Sequence, residues 1–254
     1  MNVRVYKVGG PALEDPALIA PLADEVRRGR ERTLLVHGGG RHVDRLLSAL
    51  GIESRFVLGR RQTSPEAMDV VEMVLSGGTN KALAAGLTEA GVPAVGVSGR
   101  DGGLIRARLE PSLGRVGTPE IVSPRLVEAL WNAGFVPVVS PVSAGPKGES
   151  VNVNADEAAL GLARALGATL LVYLSDVDGV KIDGAPVASL TAAEARQRID
   201  DGTIAGGMAL KVRVALEAAD AGIAEVVIAG RARLQGGFAG TRVLAEAEAA
   251  AAAR

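Results

Sequence analysis

The chain has 254 residues, 28 of them basic and 29 acidic, for a formal net charge of −1; 48% of its residues are hydrophobic and none is cysteine. That composition excludes wholesale disorder, disulfides, thiolate metal sites and cysteine nucleophiles. Its charges are scattered, the first ten residues do not read as a secretory leader, and no apolar run approaches the ~20 residues of a membrane span, so a cytoplasmic protein with no nucleic-acid or membrane partner is expected.

Strand patterns alternate with helix patterns along the chain, which predicts an α/β fold, an open αβα sandwich with a mainly parallel central sheet. Val3–Val8, apolar but for Arg4 and Lys7, reads as a buried strand. Asp15-Pro16 starts a helix, as an N-cap with proline at the first helical position, running to about Arg28. Thr33–Val36 is a strand ending at His37-Gly38-Gly39-Gly40, and a helix follows through Leu50. Ser64-Pro65-Glu66 opens another helix that reaches Thr88 through the weakening pair Gly77-Gly78. Ala94–Val97 is a strand, Gly102–Val122 a hairpin excursion, Pro124–Gly134 a helix and Val136–Ser140 a strand. After the Pro/Gly-rich stretch Pro141–Gly148 the pattern restarts with helix Ala155–Leu166 and strand Thr169–Leu174. A turn at Asp176–Gly179 leads into a short hairpin to Val187. Helices Ala192–Ile199 and Ala209–Ala221 then flank Gly206-Gly207, and Val226–Ala229 and Thr241–Leu244 are the last strands. The alanine-rich tail Ala245–Arg254 reads as a frayed helix. Pro141–Gly148 divides the chain into two expected lobes, residues 1–150 and 151–254.

Two successive strands end in glycine clusters, Val8-Gly9-Gly10 and His37-Gly38-Gly39-Gly40. Ligands of open α/β sheets bind at the carboxyl ends of the strands, where glycine lets backbone N–H groups approach an anion and the next helix adds its positive end. The plain alternative is a tight turn needing positive φ; two clusters in succession favour an anion site. No Gly-Lys pair exists, so there is no Walker A loop, and Val43 stands where a dinucleotide fingerprint wants its third glycine. With only His37 and His42 as histidines, a histidine metal site is not expected. Lysine is scarce: Lys7, Lys81, Lys147, Lys181 and Lys211 are the five among 28 basic residues. A lysine where arginine would serve on a surface therefore draws attention, Lys7 beside the first glycine pair above all.

The glycine clusters, read with Gly59-Arg60-Arg61-Gln62-Thr63, Val71-Glu72-Met73 with Thr79-Asn80-Lys81, Ser98-Gly99-Arg100-Asp101-Gly102, Asn152-Val153-Asn154-Ala155-Asp156, Ser175-Asp176-Val177-Asp178-Gly179, Gly206-Gly207-Met208 with Lys211, and Gly240-Thr241-Arg242-Val243, resemble the amino acid kinase family. The order and spacing of these pieces resemble the branch that phosphorylates the side-chain carboxylate of N-acetyl-L-glutamate in arginine biosynthesis. The resemblance implies ATP and Mg2+, the ion held mainly by the ATP phosphates. It also implies that Lys7 and Lys211 supply charge to the moving phosphoryl, with Asp156 organising them; a carboxylate nucleophile has no proton to remove, so Asp156 is no base. Gly39 and Gly40 would offer N–H groups, Arg61 a planar fork for the substrate α-carboxylate, and Asn152 would assist. Gly9 and Gly10 would face the ATP phosphates, and the nucleotide would lie against Asp176, Val177, Asp178, Gly179, Val180, Lys181, Thr203, Ile204 and Ala205. Residues 1–150 would form the acid-substrate and dimerisation lobe, residues 151–254 the ATP lobe.

Two positions depart from the family pattern: Pro11, where a small or polar residue is common, removes one N–H from the first anion loop, and Ser64 replaces a common aspartate. Alternatives are a kinase for carrier-protein-linked aminoadipate or glutamate, or a non-catalytic binding module of the same fold. The first strand begins at Val3, without the N-terminal helix of arginine-inhibited relatives, so an arginine-insensitive homodimer is expected.

Overall fold

A computed structural model describes residues 2–29, 31–57, 59–235 and 239–245. Of the expected alanine tail, all but Ala245 falls outside the described residues.

Strand β1 (Val3–Val8) leads through the one-turn helix α1 (Gly10–Leu13) to α2 (Ile19–Arg28), β2 (Arg32–His37) and α3 (Gly40–Ala49). The hairpin β3 (Arg55–Val57) and β4 (Arg60–Gln62) precedes α4 (Pro65–Glu72). A π-helical stretch, Met73–Thr79, joins α4 to α5 (Asn80–Glu89), so the helix expected from Ser64 is continuous but widened at its glycine pair. Next come β5 (Ala94–Ser98), β6 (Ile105–Leu109), β7 (Val116–Val122), α6 (Arg125–Asn132) and β8 (Val136–Ser140). They are followed by β9 (Val142–Ala144), β10 (Ser150–Val153), α7 (Ala155–Ala165) and β11 (Leu170–Leu174). The remainder comprises β12 (Lys181–Ile182), β13 (Ala185–Pro186), β14 (Ser189–Thr191), α8 (Ala192–Asp200), α9 (Gly206–Asp220), β15 (Glu225–Ala229) and β16 (Thr241–Leu244).

Eight strands form one sheet in the order β14-β16-β15-β11-β1-β2-β8-β5. Every neighbouring pair is parallel except β15 with β16. Alternation along each strand sends side chains to opposite faces. Val5, Val36, Tyr173 and Ile228 pack beneath Ala158 and Leu162 of α7 and Val212 and Ala215 of α9. Tyr6, Leu35, Val172 and Val227 pack beneath Leu22 of α2 and Leu83 and Leu87 of α5. With few aromatics available, these aliphatic layers carry the core, each buried leucine contributing roughly 2 kcal/mol.

Strands β10, β7, β6 and β9 close a small barrel beside the sheet. The expected excursion is the antiparallel pair β6–β7. Pro141–Gly148 holds β9 and the turn into β10, where the Gly148 N–H donates to Gly145 O at 3.0 Å and the two strands pair antiparallel. The sequence reading gave neither strand, because three- and four-residue strands around a Pro/Gly turn carry too little periodicity.

Candidate active site

The three charged residues singled out in the sequence meet at the carboxyl end of β1. Lys7 stands on β1 on the face covered by α7 and α9. Asp156 lies in the first turn of α7, whose N-cap Asn154 accepts a hydrogen bond from the Asp156 N–H at 2.8 Å. Lys211 lies on α9. The Lys7 ammonium is 2.9 Å from Asp156 Oδ1, and Lys211 Nζ donates to both Asp156 oxygens at 3.1 Å. All three side chains are buried. Burial pushes the Asp156 carboxyl up, but the ammonium groups of Lys7 and Lys211 outweigh it and hold the acid at about 2. Burial and the charge of Lys7 bring Lys211 down to about 8, against the pull of Asp156. The Lys211 ammonium also lies 5.6 Å from the centroid of the Tyr173 ring, a cation–π arrangement.

Beside this cluster is a cavity of about 200 Å³ bordered by Lys7, Gly39, Gly40, Arg61 and Asn152, four of which the sequence placed at an acid substrate. Its apolar wall includes Val43, Val71, Leu75 and Val116. Arg61 on β4 is buried. Its guanidinium stacks on Phe56 at 4.6 Å, bonds Asp44 and Ser54 through Nη1 and donates through Nη2 to Gly40 O at 3.2 Å. The bond from Arg61 comes first among the causes that hold the Asp44 carboxyl below its ordinary value. Thr63, two residues on, accepts from Asn152 Nδ2 at 3.1 Å and donates to Arg61 O at 2.8 Å, tying the amide to the arginine's strand. The neighbouring Arg60 instead pairs with Glu157 of α7, bringing the β3–β4 hairpin onto the helix that carries Asp156.

The glycine loops differ in what they leave free. The Gly9 N–H donates to Leu174 O and the Gly38 N–H to Val8 O, both at 2.9 Å. Gly39 has φ +147°, and a Cβ there would stand 2.7 Å from Leu75 Cδ2. Pro11 falls in the first turn of α1, where a missing N–H costs no intrahelical bond. Ser64 does the work an aspartate would do, capping α4 by accepting from the Ala67 N–H at 3.1 Å. Among the described residues no group of three or more His, Asp or Glu side chains is gathered to hold a metal ion, and none of the helices is long and apolar enough to cross a membrane.

The sequence model of the Amino acid kinase family matches residues 2–230. The chain belongs to the amino acid kinase family. An acetylglutamate kinase from Rubrobacter xylanophilus is 47% identical over 251 residues, covering 96% of each chain. A second, from Geobacillus kaustophilus, is 44% identical over 230 residues, 88% of each. The solved structure of smu.665 from Streptococcus mutans UA159 superimposes with a TM-score of 0.87 at 25% identity, covering 96% of this chain and 99% of that one.

In this amino acid kinase the residues expected against the nucleotide lie apart from the cavity. Residues 176–181 follow β11, and residues 203–205 precede α9. Val180 and Ile204 are buried in the core, the Val180 O accepting from the Val187 N–H at 2.9 Å and the Ile204 N–H donating to Arg198 O at 2.7 Å, whereas Asp176, Asp178, Lys181, Thr203 and Ala205 are exposed. Gly179 has φ +143° and sits against Thr241, whose hydroxyl accepts from the Val180 N–H at 2.8 Å. Sequence reasoning missed Asp44, Ser54 and Phe56 around Arg61; the spacing of Gly40 and Asp44, one helical turn apart, was the available signal. It quoted Asn80 within the motif Thr79-Asn80-Lys81 but gave it no role.

Proposed function

We propose that this chain transfers the terminal phosphoryl of MgATP to the side-chain carboxylate of N-acetyl-L-glutamate, giving N-acetyl-L-glutamyl 5-phosphate and ADP in arginine biosynthesis. The observation that carries this reading is the buried Lys7–Asp156–Lys211 cluster at the edge of a small cavity that also presents Arg61 and Asn152. That both relatives are acetylglutamate kinases supports the substrate.

Two anions must approach each other in this reaction, so the site has to supply positive charge and donors aimed at the transferring oxygens. Lys7 and Lys211 supply the charge and Asp156 fixes both ammonium groups by accepting from them. A carboxylate oxygen of the acid attacks the γ-phosphorus while the bond to the β–γ bridging oxygen breaks, the electron pair leaving with ADP; no proton moves. Arg61 faces the α-carboxylate, Asn152 the acetamido group, and the wall of Val43, Val71, Leu75 and Val116 its methyl. Asp156 has both oxygens engaged by lysine and would not be a ligand to Mg2+, which would be held mainly by the ATP phosphates. The nucleotide lies over Gly9, Gly10, residues 176–181 and residues 203–205, on a lobe of residues 151–254, with residues 1–150 forming the acid lobe.

The same reading makes the protein a cytoplasmic homodimer. Strand β5 is an edge of the eight-stranded sheet, and Met73 on the neighbouring helical segment is 59% exposed. Hydroxylamine trapping of the acyl phosphate tests the reaction: hydroxamate should form with N-acetyl-L-glutamate and ATP. Hydroxamate from carrier-linked aminoadipate alone overturns the substrate, and none from any acid overturns the kinase.

A further inference from the structure

His37, the residue before the Gly38-Gly39-Gly40 cluster, has no part in the charge arrangement above, yet it is fully buried and fully bonded. It pairs with Val8 in the sheet register, so its side chain lies on the α2–α5 face, opposite to Lys7. There His37 Nδ1 is 2.7 Å from Gly38 O, and Nε2 is 3.1 Å from Asn80 Nδ2. An amide nitrogen only donates, so Nε2 accepts, and Nδ1 carries the proton given to Gly38 O. Asn80 is itself held from several sides: the two hydrogens of its amide nitrogen are shared among His37 Nε2, Val138 O at 2.9 Å and Val97 O at 3.2 Å, and its oxygen accepts from Lys81 Nζ at 3.1 Å.

The Gly38–Gly39 peptide is planar and trans, so its C=O and N–H point in opposite directions. With Gly38 O held toward the α2–α5 face, the Gly39 N–H is turned to the other side, where Gly39 borders the cavity beside Lys7. Among the described residues that N–H has no hydrogen-bond partner. A glycine pair in a loop has no intrinsic reason to keep one peptide orientation. We propose that His37, fixed as the Nδ1–H tautomer by Asn80, is a positioning residue that locks the Gly38–Gly39 peptide so the Gly39 N–H faces the transferring phosphoryl group. The catalytic part of this inference rests on the phosphoryl-transfer reading above; the tautomer and the peptide orientation do not. Burial brings the imidazole down to about 4, with the charges of Lys7 and Lys81 acting in the same direction and the Gly38 bond against them, which keeps the ring neutral for this role.

The chain has two histidines, so long-range 1H–15N correlation spectra of the imidazoles are readily assigned by comparison with His42→Gln. The expected spectrum has one ring protonated at Nδ1 only, and that signal is lost in His37→Asn. Finding His37 protonated at Nε2 overturns the proposal whether or not the protein turns out to be a kinase. In kinetics, His37→Leu removes the donor and should lower kcat about 100-fold with the KM for the acid within 3-fold. His37→Asn, whose amide nitrogen can take the place of Nδ1, should retain at least a tenth of wild-type kcat. Equal losses in both variants, or none in either, overturn the positioning role. If His37→Leu fails to fold, Asn80→Asp decides: its carboxylate cannot donate to Nε2, so the Nδ1-only signal should vanish and kcat fall at least 10-fold. Persistence of both overturns the proposal.

Discussion

Burial and the charge of Lys7 bring the Lys211 ammonium down to about 8, within reach of an ordinary assay. If its charge is needed on the transferring phosphoryl, kcat/KM for the nucleotide should decline as pH rises through 8. kcat should decline only at higher pH, because bound phosphates restore the ammonium's preference for its charged form. A pH profile of both parameters checks this. Replacing Lys211 by alanine should cost about 10³-fold in kcat while leaving the affinity for the acid within a few-fold, measured by calorimetry. Unchanged turnover would sink the assigned role. Asp44 offers a separate test, since it holds Arg61 without being at the reaction centre. Asp44→Ala should raise the KM for the acid about 10-fold and the KM for ATP far less, because the freed guanidinium loses one of its fixed partners.

The β3–β4 hairpin is an element with little core of its own: Phe56 and Val57 are 57% and 44% exposed. What ties it to α7 is Arg60 on Glu157, an acid pushed up by burial and drawn back by that arginine, with Oε2 buried and unpartnered. Arg60→Ala strands the carboxylate and should destabilise the fold by about 2 kcal/mol, whereas Glu157→Gln, which removes the charge, should cost less than half of that. Urea titrations of both variants measure the difference. This pair was not legible in the sequence, because contact between residues 60 and 157 depends on topology. Lys7, Asp156, Lys211 and Arg61 were legible through the motifs that resemble the amino acid kinase family, and the fold brings the first three together. The strands Val3–Val8 and Val136–Ser140 were legible because valine and tyrosine dominate the first, despite Arg4 and Lys7, and valine the second. The short strands of the barrel were not, for their Pro/Gly turn looks the same whether it joins two paired strands or two lobes.

At the scale of the whole molecule, two buried groups, His37 and Asp156, make stability fall on the acid side. His37 falls from 6.5 to about 4 on folding, so the unfolded chain takes up its proton first as pH drops. Stability is therefore full above 6.5 and declines between 6.5 and 4, by about 3 kcal/mol. Asp156 falls from 3.8 to about 2; its contribution is present above 3.8 and is lost as pH descends toward 2, another ~2 kcal/mol. Denaturant midpoints from pH 7 to 4 should show the first decline in the wild-type chain and not in His37→Asn. The cluster that gives Asp156 this behaviour has a consequence for the choice of buffer as well. Two ammonium groups facing one carboxylate leave a standing surplus of positive charge, walled on one side by aliphatic side chains and offering an unpaired backbone donor at Gly39. Such a place does not discriminate finely between tetrahedral anions. Phosphate or sulfate in a buffer will occupy it and compete with the nucleotide, so turnover measured in those salts will report the buffer as much as the protein.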